Sequence, residues 1–227
     1  MSIIENYTRI EKEIALIAAA SGRDSGKIRI VAVSKTFDEK SVQEAIDAGI
    51  RVFGENKVQE ARKKIPALRG DFTFHMVGHL QSNKARDAVH LFDLIHSIDK
   101  TETALAVDRE AGRIGKRQKV LIQVNASGEV SKSGIEPGTA RELAARVMEM
   151  KNIELLGFMT MAPFTDSEAT IRGTFRAARR LLDEINGSLG IALAELSMGM
   201  SSDYRIAVEE GATLVRIGTA IFGNRDL

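Results

Sequence analysis

Residues 28–37 read IRIVAVSKTF, a run of isoleucine, valine and alanine that stops at Ser34 and Lys35. A short uninterrupted apolar run of this kind is typical of a strand buried on both faces, as in a parallel sheet. Lysine is among the residues least often buried, because its ammonium group loses water at a high cost. Either the Lys35 amine simply reaches solvent at the end of the strand, or that end of the strand uses it.

The same pattern continues along the chain, because seven further apolar runs alternate with stretches of helical periodicity. The eight runs lie near residues 29, 51, 72, 93, 119, 153, 195 and 213. Strands that alternate with helices favour parallel pairing through right-handed crossovers. A closed (β/α)8 TIM barrel fits this number of strands and the length of 227 residues. An open doubly wound sheet is the alternative, although no glycine-rich dinucleotide fingerprint follows the first strand.

An additional helix is predicted before the first strand. Its apolar residues are spaced by four, three, four and three, which places them on one face of an amphipathic helix. They are Ile3, Tyr7, Ile10, Ile14 and Ile17. The sequence has three prolines and no proline-rich or serine-rich linker. We therefore expect one domain over residues 1–227, a barrel with an additional N-terminal helix.

The composition limits the classes of function. Lys plus Arg is 32 and Asp plus Glu is 31, so no net basic field favours nucleic acid or an anionic membrane. The absence of cysteine excludes disulfides, thiolate metal sites and cysteine nucleophiles. Charges interrupt the first helix, unlike a signal peptide, and no stretch has a membrane-spanning length. We expect a cytoplasmic protein, and a closed barrel without an exposed strand edge favours a monomer.

Two strand ends have the composition of a phosphate site. The stretch SMGMSSD, residues 197–203, places a glycine and two serines just ahead of a helix, where backbone N–H groups and a hydroxyl can hold phosphate. In RIGT, residues 216–219, Gly218 allows close approach of the backbone and Thr219 supplies another hydroxyl. TIM barrels often bind phosphate at the loops after strands seven and eight. The alternative is that one of the serines only caps the helix and Gly218 only turns the chain.

A lysine on the opposite side of the barrel mouth from a phosphate site suggests a Schiff base with a phosphorylated aldehyde or a sugar phosphate. Arg216 helps to distinguish these ligands. It lies two residues before Gly218, on the strand face that points into the barrel mouth. A buried guanidinium needs a partner, and the pyridine nitrogen of pyridoxal phosphate is one such acceptor. An internal ion pair with Glu55 or Glu195 is the alternative.

Taken together, the strand ends resemble those of the pyridoxal phosphate homeostasis proteins, a family similar to the N-terminal barrel of alanine racemase. The resemblance covers nearly the whole chain, and seven motifs follow one another in the order found in the family. They read AVSKTF, FGENKVQEA, FHMVGHLQSNK, NASGEVSKSGI, GFMTM, LSMGMSSD and VRIGTAIFG. Two positions depart from the pattern: Phe74 stands where tryptophan is frequent, and Ser202 where an acidic residue is frequent.

The resemblance implies a cofactor and the residues that bind it. Pyridoxal 5'-phosphate would be held as a Schiff base on Lys35, with Arg216 facing the pyridine nitrogen. The phosphate would be held by Ser201, Gly218 and Thr219. Further residues around the cofactor would be Asn56, Met159, Met198 and Gly199.

The sequence also bears on catalysis. A permanently cationic Arg216 leaves the pyridine nitrogen unprotonated, which weakens stabilisation of a carbanion. A racemase needs a base on each face of its substrate. Lys35 could serve one face, but the tyrosine that alanine racemase uses has no evident counterpart, since the tyrosines here are Tyr7 in the first helix and Tyr204 beyond the phosphate loop.

We therefore expect a pyridoxal phosphate-binding protein of intracellular cofactor homeostasis, without a dedicated catalytic activity, that influences amino-acid and keto-acid pools. Apo-forms of enzymes that use this cofactor are a candidate class of partner. Two alternatives remain open: an amino-acid racemase or lyase that depends on pyridoxal phosphate, and a Schiff-base aldolase acting on sugar phosphates.

The histidines do not indicate a metal site. His75 and His79 are four residues apart but have no third ligand near them in the sequence. His90 is interpreted as an ordinary surface residue and His96 as an ordinary strand residue.

Overall fold

Eight parallel strands close into a barrel in sequence order, and β8 pairs with β1. The computed structural model describes residues 2–129 and 133–223. The strands are β1 (Arg29–Val33), β2 (Val52–Glu55), β3 (Thr73–Met76), β4 (Leu94–Ile98), β5 (Gln118–Gln123), β6 (Ile153–Met159), β7 (Glu195–Ser197) and β8 (Leu214–Ile217). The TIM barrel is thus confirmed, and the open doubly wound sheet is wrong.

A helix follows each strand, and one more precedes β1. Over the described residues the helices are α1 (Ile3–Ala20), α2 (Glu39–Asp47), α3 (Val58–Lys64), α4 (Ala85–Leu91), α5 (Thr101–Arg113), α6 (Ala140–Met148), α7 (Glu168–Leu189), α8 (Tyr204–Glu209) and α9 (Thr219–Phe222). Single 3₁₀ turns lie at Ser25–Lys27, Ile65–Ala67, Ser82–Lys84 and Pro137–Thr139. None of the described helices combines the length and apolar character that crossing a lipid bilayer requires.

Helix α1 covers the seam of the barrel. The helix after β8, α9, has only four residues and cannot cover the strands beside it. Helix α1 packs against both α8 and α9 instead. Asn6 Nδ2 donates to the Ile221 carbonyl at 3.0 Å, and the Tyr204 hydroxyl donates to Glu13 at 2.6 Å. The predicted N-terminal helix is therefore part of the barrel's outer layer.

The strands separate two apolar cores. Along β1, Ile30 and Ala32 face the helices and belong to the large outer core, whereas Val31 faces the barrel axis. This is the alternation of a strand, in which successive side chains point to opposite faces. The inner apolar cluster consists of Val31, Leu94, Leu121, Met159 and Leu214. It is small, which leaves room inside the barrel for polar side chains.

One glycine lets two strands pair closely. Gly157, on β6, lies opposite Glu195 on β7. A Cβ atom added at Gly157 would lie 1.9 Å from the Glu195 carbonyl oxygen, which belongs to the backbone and cannot rotate away. The strand therefore needs glycine here, because any side chain would force β6 and β7 apart.

We expect Gly157→Ala to lower the free energy of unfolding by about 2–4 kcal/mol, since the clash with Glu195 is with backbone. Gly173→Ala is the matched control, because Gly173 is exposed on α7 and nothing lies within 4 Å of its added Cβ. The control should raise the free energy of unfolding by about 0.5–1 kcal/mol through helix propensity. Urea unfolding at pH 7 measures both, and equal effects of the two variants would contradict the packing argument.

Candidate functional site

Lys35 lies in a tight turn at the carboxyl end of β1. Strand β1 ends at Val33, Ser34 is buried, and Lys35 is exposed. The Phe37 N–H donates to the Ser34 carbonyl at 3.1 Å, which closes the turn. Thr36 has φ 68°, a left-handed conformation that a β-branched residue rarely adopts. Lys35 thus follows β1 at the carboxyl end of the barrel, in a turn with a strained backbone.

A buried ion pair lies beneath this turn. Lys64 Nζ is 2.5 Å from Glu55 Oε1, and both side chains are almost fully buried. The Ser34 hydroxyl donates to the same carboxylate oxygen at 2.8 Å, and Lys64 donates to the Ser34 carbonyl at 2.9 Å. The carbonyl that closes the Lys35 turn is therefore fixed by a buried ammonium group.

Arg216 is buried inside the barrel, as predicted. It forms neither of the two ion pairs that were considered as the alternative. Glu55 pairs with Lys64, and Glu195 pairs with Arg29 at 2.5 Å. Arg216 Nη1 donates to the Ser197 hydroxyl at 2.6 Å. Burial lowers the pKa of Arg216 to about 10, against the opposing charge of Asp203. The guanidinium is therefore a cation at neutral pH.

A backbone carbonyl holds the other side of the guanidinium. Arg216 Nη2 donates to the Thr160 carbonyl at 3.0 Å, at the point where β6 ends. Two neighbouring strands, β6 and β7, thus each fix one nitrogen of an arginine that β8 carries. The guanidinium lies in a defined orientation.

Two buried histidines extend this arrangement. His96 Nδ1 is 2.8 Å from the Ser197 Oγ atom, and His96 Nε2 is 3.0 Å from His75 Nδ1. Burial, with Arg29 and Lys119 as further causes, lowers the pKa of His75 to about 3. Burial also lowers the pKa of His96 well below its usual value, and His75 and Arg216 contribute. Both imidazoles are neutral at pH 7.

Sequence reasoning missed this chain of side chains. His96 was expected to be an ordinary strand residue, whereas it is completely buried and hydrogen-bonded on both sides. The sequence did contain a sign of this hydrogen-bonded chain, because His75, His96 and Ser197 are polar residues that each lie within an apolar strand run. A polar residue on the inward face of a barrel strand needs a polar partner there.

The loops after β7 and β8 contact each other through Ser201. The N–H groups of Gly218 and Ala220 lie 3.3 and 3.4 Å from the Ser201 hydroxyl oxygen, to which both donate. Ser201 therefore does not cap α8, the helix that follows it, and the capping alternative is wrong for this residue. Thr219 is exposed beside this contact.

The glycines at these loops have different roles. Gly199 has φ 91°, and an added Cβ would lie 2.5 Å from the Ala207 Cβ, so its backbone conformation and its packing both require glycine. At Gly218 an added Cβ would meet the Val33 carbonyl oxygen at 3.4 Å and the Val33 Cβ at 3.7 Å, both ordinary van der Waals contacts. The protein itself therefore leaves space above Gly218.

The remaining predicted residues do not all face the barrel mouth. Asn56 follows β2 and is half-buried, and its carbonyl packs directly against Gly78, where a Cβ would lie 2.2 Å away. Met159 lies in the inner cluster at the end of β6. Met198 lies in the outer core, so its side chain points away from the barrel interior.

The position of the phosphate loops relative to Lys35 corrects the sequence prediction. They were expected on the opposite side of the mouth. Because β8 pairs with β1, Gly218 lies beside Val33, two residues before Lys35. The strand of the lysine and the strand of Arg216 are neighbours.

Neither tyrosine supplies a base at the mouth. The Tyr204 hydroxyl is bonded to Glu13 on α1, and burial together with this carboxylate raises the pKa of Tyr204 to about 12. Tyr7 lies on α1, and its burial raises its pKa above the usual value.

Three residues of one sequence motif lie outside the part of the chain that the structure describes. In NASGEVSKSGI, Val130, Ser131 and Lys132 lie outside the described residues. Among residues 2–129 and 133–223, no group of three or more His, Cys, Asp or Glu side chains is arranged to hold a metal ion.

Comparisons with known proteins agree with this geometry. Residues 6–226 match the family described as alanine racemase, N-terminal domain. The pyridoxal phosphate homeostasis protein of Aquifex aeolicus is 38% identical over 226 residues, 99% of each chain. The protein of the same name from Pseudomonas aeruginosa is 41% identical over 99% of this chain and 96% of its own. The structure of PipY from Synechococcus elongatus with PLP bound has a TM-score of 0.82 and 38% identity, and covers 92% of this chain and 100% of its own.

We expect Lys64→Met to lower the free energy of unfolding by about 3–5 kcal/mol, because the Glu55 carboxylate would stay buried without its cation. Arg62→Met is the matched control on the same helix, since Arg62 forms an exposed pair with Asp87 at 3.4 Å. Its effect should remain within about 0.5 kcal/mol. Urea unfolding measures both, and a Lys64→Met protein as stable as the control would refute the importance of the buried pair.

The two neutral imidazoles predict a pH dependence of stability. The unfolded chain protonates His75 and His96 below about pH 6.5, but the folded protein keeps them neutral down to much lower pH. The contribution of His75 is therefore complete above about pH 6.5 and is lost as the pH falls toward about 3, and that of His96 is likewise complete above about pH 6.5 and is lost at lower pH. Between pH 7 and pH 5 we expect a loss of about 2 kcal/mol for each imidazole.

Urea unfolding at pH 7, 6 and 5 tests this loss. His90→Ala is the control, because His90 is exposed on α4 and its removal should leave the pH dependence unchanged. A free energy of unfolding that does not change over this pH range would show that the imidazoles are not buried in the neutral form.

Proposed function

This chain belongs to the family of pyridoxal phosphate homeostasis proteins, and on that premise we propose that it binds pyridoxal 5'-phosphate and acts in intracellular cofactor homeostasis. Lys35 holds the cofactor as a Schiff base. The protein works in the cytoplasm as a monomer, and it influences amino-acid and keto-acid pools by controlling how much of the cofactor is free.

The observation that carries this proposal is the pairing of β8 with β1. It sets the strand that ends at Lys35 beside the strand that carries Arg216 and leads to Gly218. An amine that reaches solvent, a buried cation and a loop with backbone N–H groups therefore share one mouth. An aldehyde that carries both a phosphate and a ring nitrogen matches these three groups.

The phosphate fits the loops after β7 and β8. The Ser201 hydroxyl and the N–H groups of Gly218 and Ala220 already face one another. The space above Gly218 would hold a phosphate oxygen, and Thr219 is exposed beside it. Hydroxyl and backbone N–H donors at a helix start are suited to phosphate.

Arg216 would face the ring nitrogen. Pyridoxal phosphate, when bound, supplies an aldehyde that reacts with amines and a ring that can accept electrons. A guanidinium can only donate hydrogen bonds, so a ring nitrogen facing it acts as an acceptor and stays unprotonated. Arg216 would thus bind the ring and at the same time reduce its capacity to accept electrons.

This arrangement favours holding the cofactor over using it. A racemase needs a second base, but the Tyr204 hydroxyl is bonded to Glu13, away from the mouth. Asn56, Met159 and the Gly199 backbone would line the rest of the site, whereas the Met198 side chain would not take part. Apo-enzymes that use pyridoxal phosphate are the partners that would receive the cofactor.

We expect the purified protein to turn yellow with pyridoxal phosphate, and borohydride to fix the cofactor on Lys35. Lys35→Ala should abolish covalent capture, whereas Lys40→Ala should retain it, because Lys40 is exposed on α2 and is not part of the turn that follows β1. Visible absorption and mass spectrometry of the reduced, digested protein measure both results.

Four results would contradict the proposal. A protein that stays colourless with excess pyridoxal phosphate does not bind it as proposed, and capture on another lysine would displace Lys35. A sugar phosphate trapped by borohydride, with no visible chromophore, would indicate an aldolase. Turnover of an amino acid in chiral analysis that disappears in Lys35→Ala would show a catalytic function.

A further inference from the structure

Four side chains form one continuous chain of hydrogen bonds through the barrel interior. It runs from Arg216 on β8 to Ser197 on β7, His96 on β4 and His75 on β3, with successive distances of 2.6, 2.8 and 3.0 Å. All four residues are at most 5% exposed. The first of them is the arginine assigned above to the ring nitrogen.

The direction of this chain follows from which groups can donate. Arg216 has no acceptor atom, so its N–H must donate to the Ser197 oxygen. The serine then has one hydrogen to give, and His96 Nδ1 is the neighbour that can accept it. A neutral His96 with a bare Nδ1 carries its proton on Nε2, which donates to His75 Nδ1. Each group therefore donates to the next, away from Arg216.

The reverse direction leaves a hydrogen without a partner. If His96 donated from Nδ1, the Ser197 oxygen would accept from both neighbours and its own hydrogen would need another acceptor. The positive charge of Arg216 also favours the first direction, because it attracts the serine oxygen and repels the serine hydrogen. The same charge opposes protonation of His96, and Arg29 and Lys119 oppose that of His75.

We propose that His96 and His75 are positioning residues for the cofactor site: through Ser197 they hold the guanidinium of Arg216 in one rotational state. A serine hydroxyl alone can turn about its Cβ–Oγ bond. With His96 as its acceptor the hydroxyl is fixed, so its lone pair points at Arg216. This inference rests on the proposed function only where it concerns the cofactor, since the orientation of Arg216 exists without it.

Two substitutions at one position separate positioning from stability. In His96→Asn the amide oxygen can take the place of Nδ1 and accept from Ser197, whereas in His96→Leu a side chain of similar size offers no acceptor. His90→Leu is the matched control, the same exchange at an exposed position on α4. Thermal unfolding checks that each variant is folded.

The first measurement uses the protein without cofactor. Nitrogen-15 NMR of the imidazoles between pH 5 and 8 should show two histidines that stay neutral with the proton on Nε2. The Nη signals of Arg216 should show hindered rotation of the guanidinium in the parent protein, in His96→Asn and in His90→Leu, and faster rotation in His96→Leu. A proton on Nδ1 of His96, or equal rotation rates in all four proteins, overturns the proposal.

The second measurement uses the protein loaded with pyridoxal phosphate. Losing one oriented hydrogen bond of Arg216 should weaken equilibrium binding in His96→Leu by roughly tenfold. It should also shift the visible band and its pH titration, while His96→Asn stays near the parent. Unchanged binding and spectrum in His96→Leu overturn the role at the cofactor site. If the parent protein binds no pyridoxal phosphate, the proposed function fails, and the NMR result alone decides whether the histidines orient Arg216.

Discussion

The pairing of β8 with β1 is the constraint on which the rest of the structure depends. It closes the barrel, so that none of the eight described strands is left as an unpaired edge. It also creates an interior, since closure turns one face of the sheet inward and brings side chains from all eight strands together there. The register of this pairing sets Val31 beside Arg216 and leaves Lys35 and Gly218 above them at the carboxyl end. Helix α1 covers the seam between β8 and β1, because the four-residue α9 is too short to do so.

A cation in that interior determines what can surround it. A carboxylate partner would neutralise Arg216, but Glu55 and Glu195 are held by Lys64 and Arg29. The guanidinium donates hydrogen bonds to neutral dipoles instead, a serine hydroxyl and a backbone carbonyl, and the charge of Asp203 acts on it in addition. Dipoles stabilise the positive charge without cancelling it, so the charge remains available at the barrel mouth. A buried cation solvated in this way is pre-organised, because the dipoles do not have to reorient when a ligand arrives.

Much of this could be predicted from the sequence, because it depends on periodicity. The eight apolar runs, the helices between them and the strand ends at Lys35 and Arg216 follow from repeats of two and 3.6 residues. Periodicity gives the face of a residue but not its partner. It could therefore place His96 on a strand without showing that Ser197, 101 positions away, lies 2.8 Å from its ring. The same limit explains Met198, assigned to the site although its side chain lies in the outer core, and the phosphate loops, expected opposite Lys35 although closure makes them its neighbours.

The two ends of the candidate site differ in rigidity, and the difference bears on the proposed role. Arg216 is buried and fixed by two strands, whereas Lys35 is exposed in a turn with an unfavourable backbone conformation at Thr36. The fixed Arg216 can discriminate a phosphorylated pyridine from other aldehydes, because a cation and dipoles held in one orientation accept few ligand shapes. In the proposed function, an exposed amine in a strained turn would leave the Schiff base open to water and to competing amines. An enzyme would gain from shielding that bond, but a protein that stores a cofactor and gives it up needs it to be accessible.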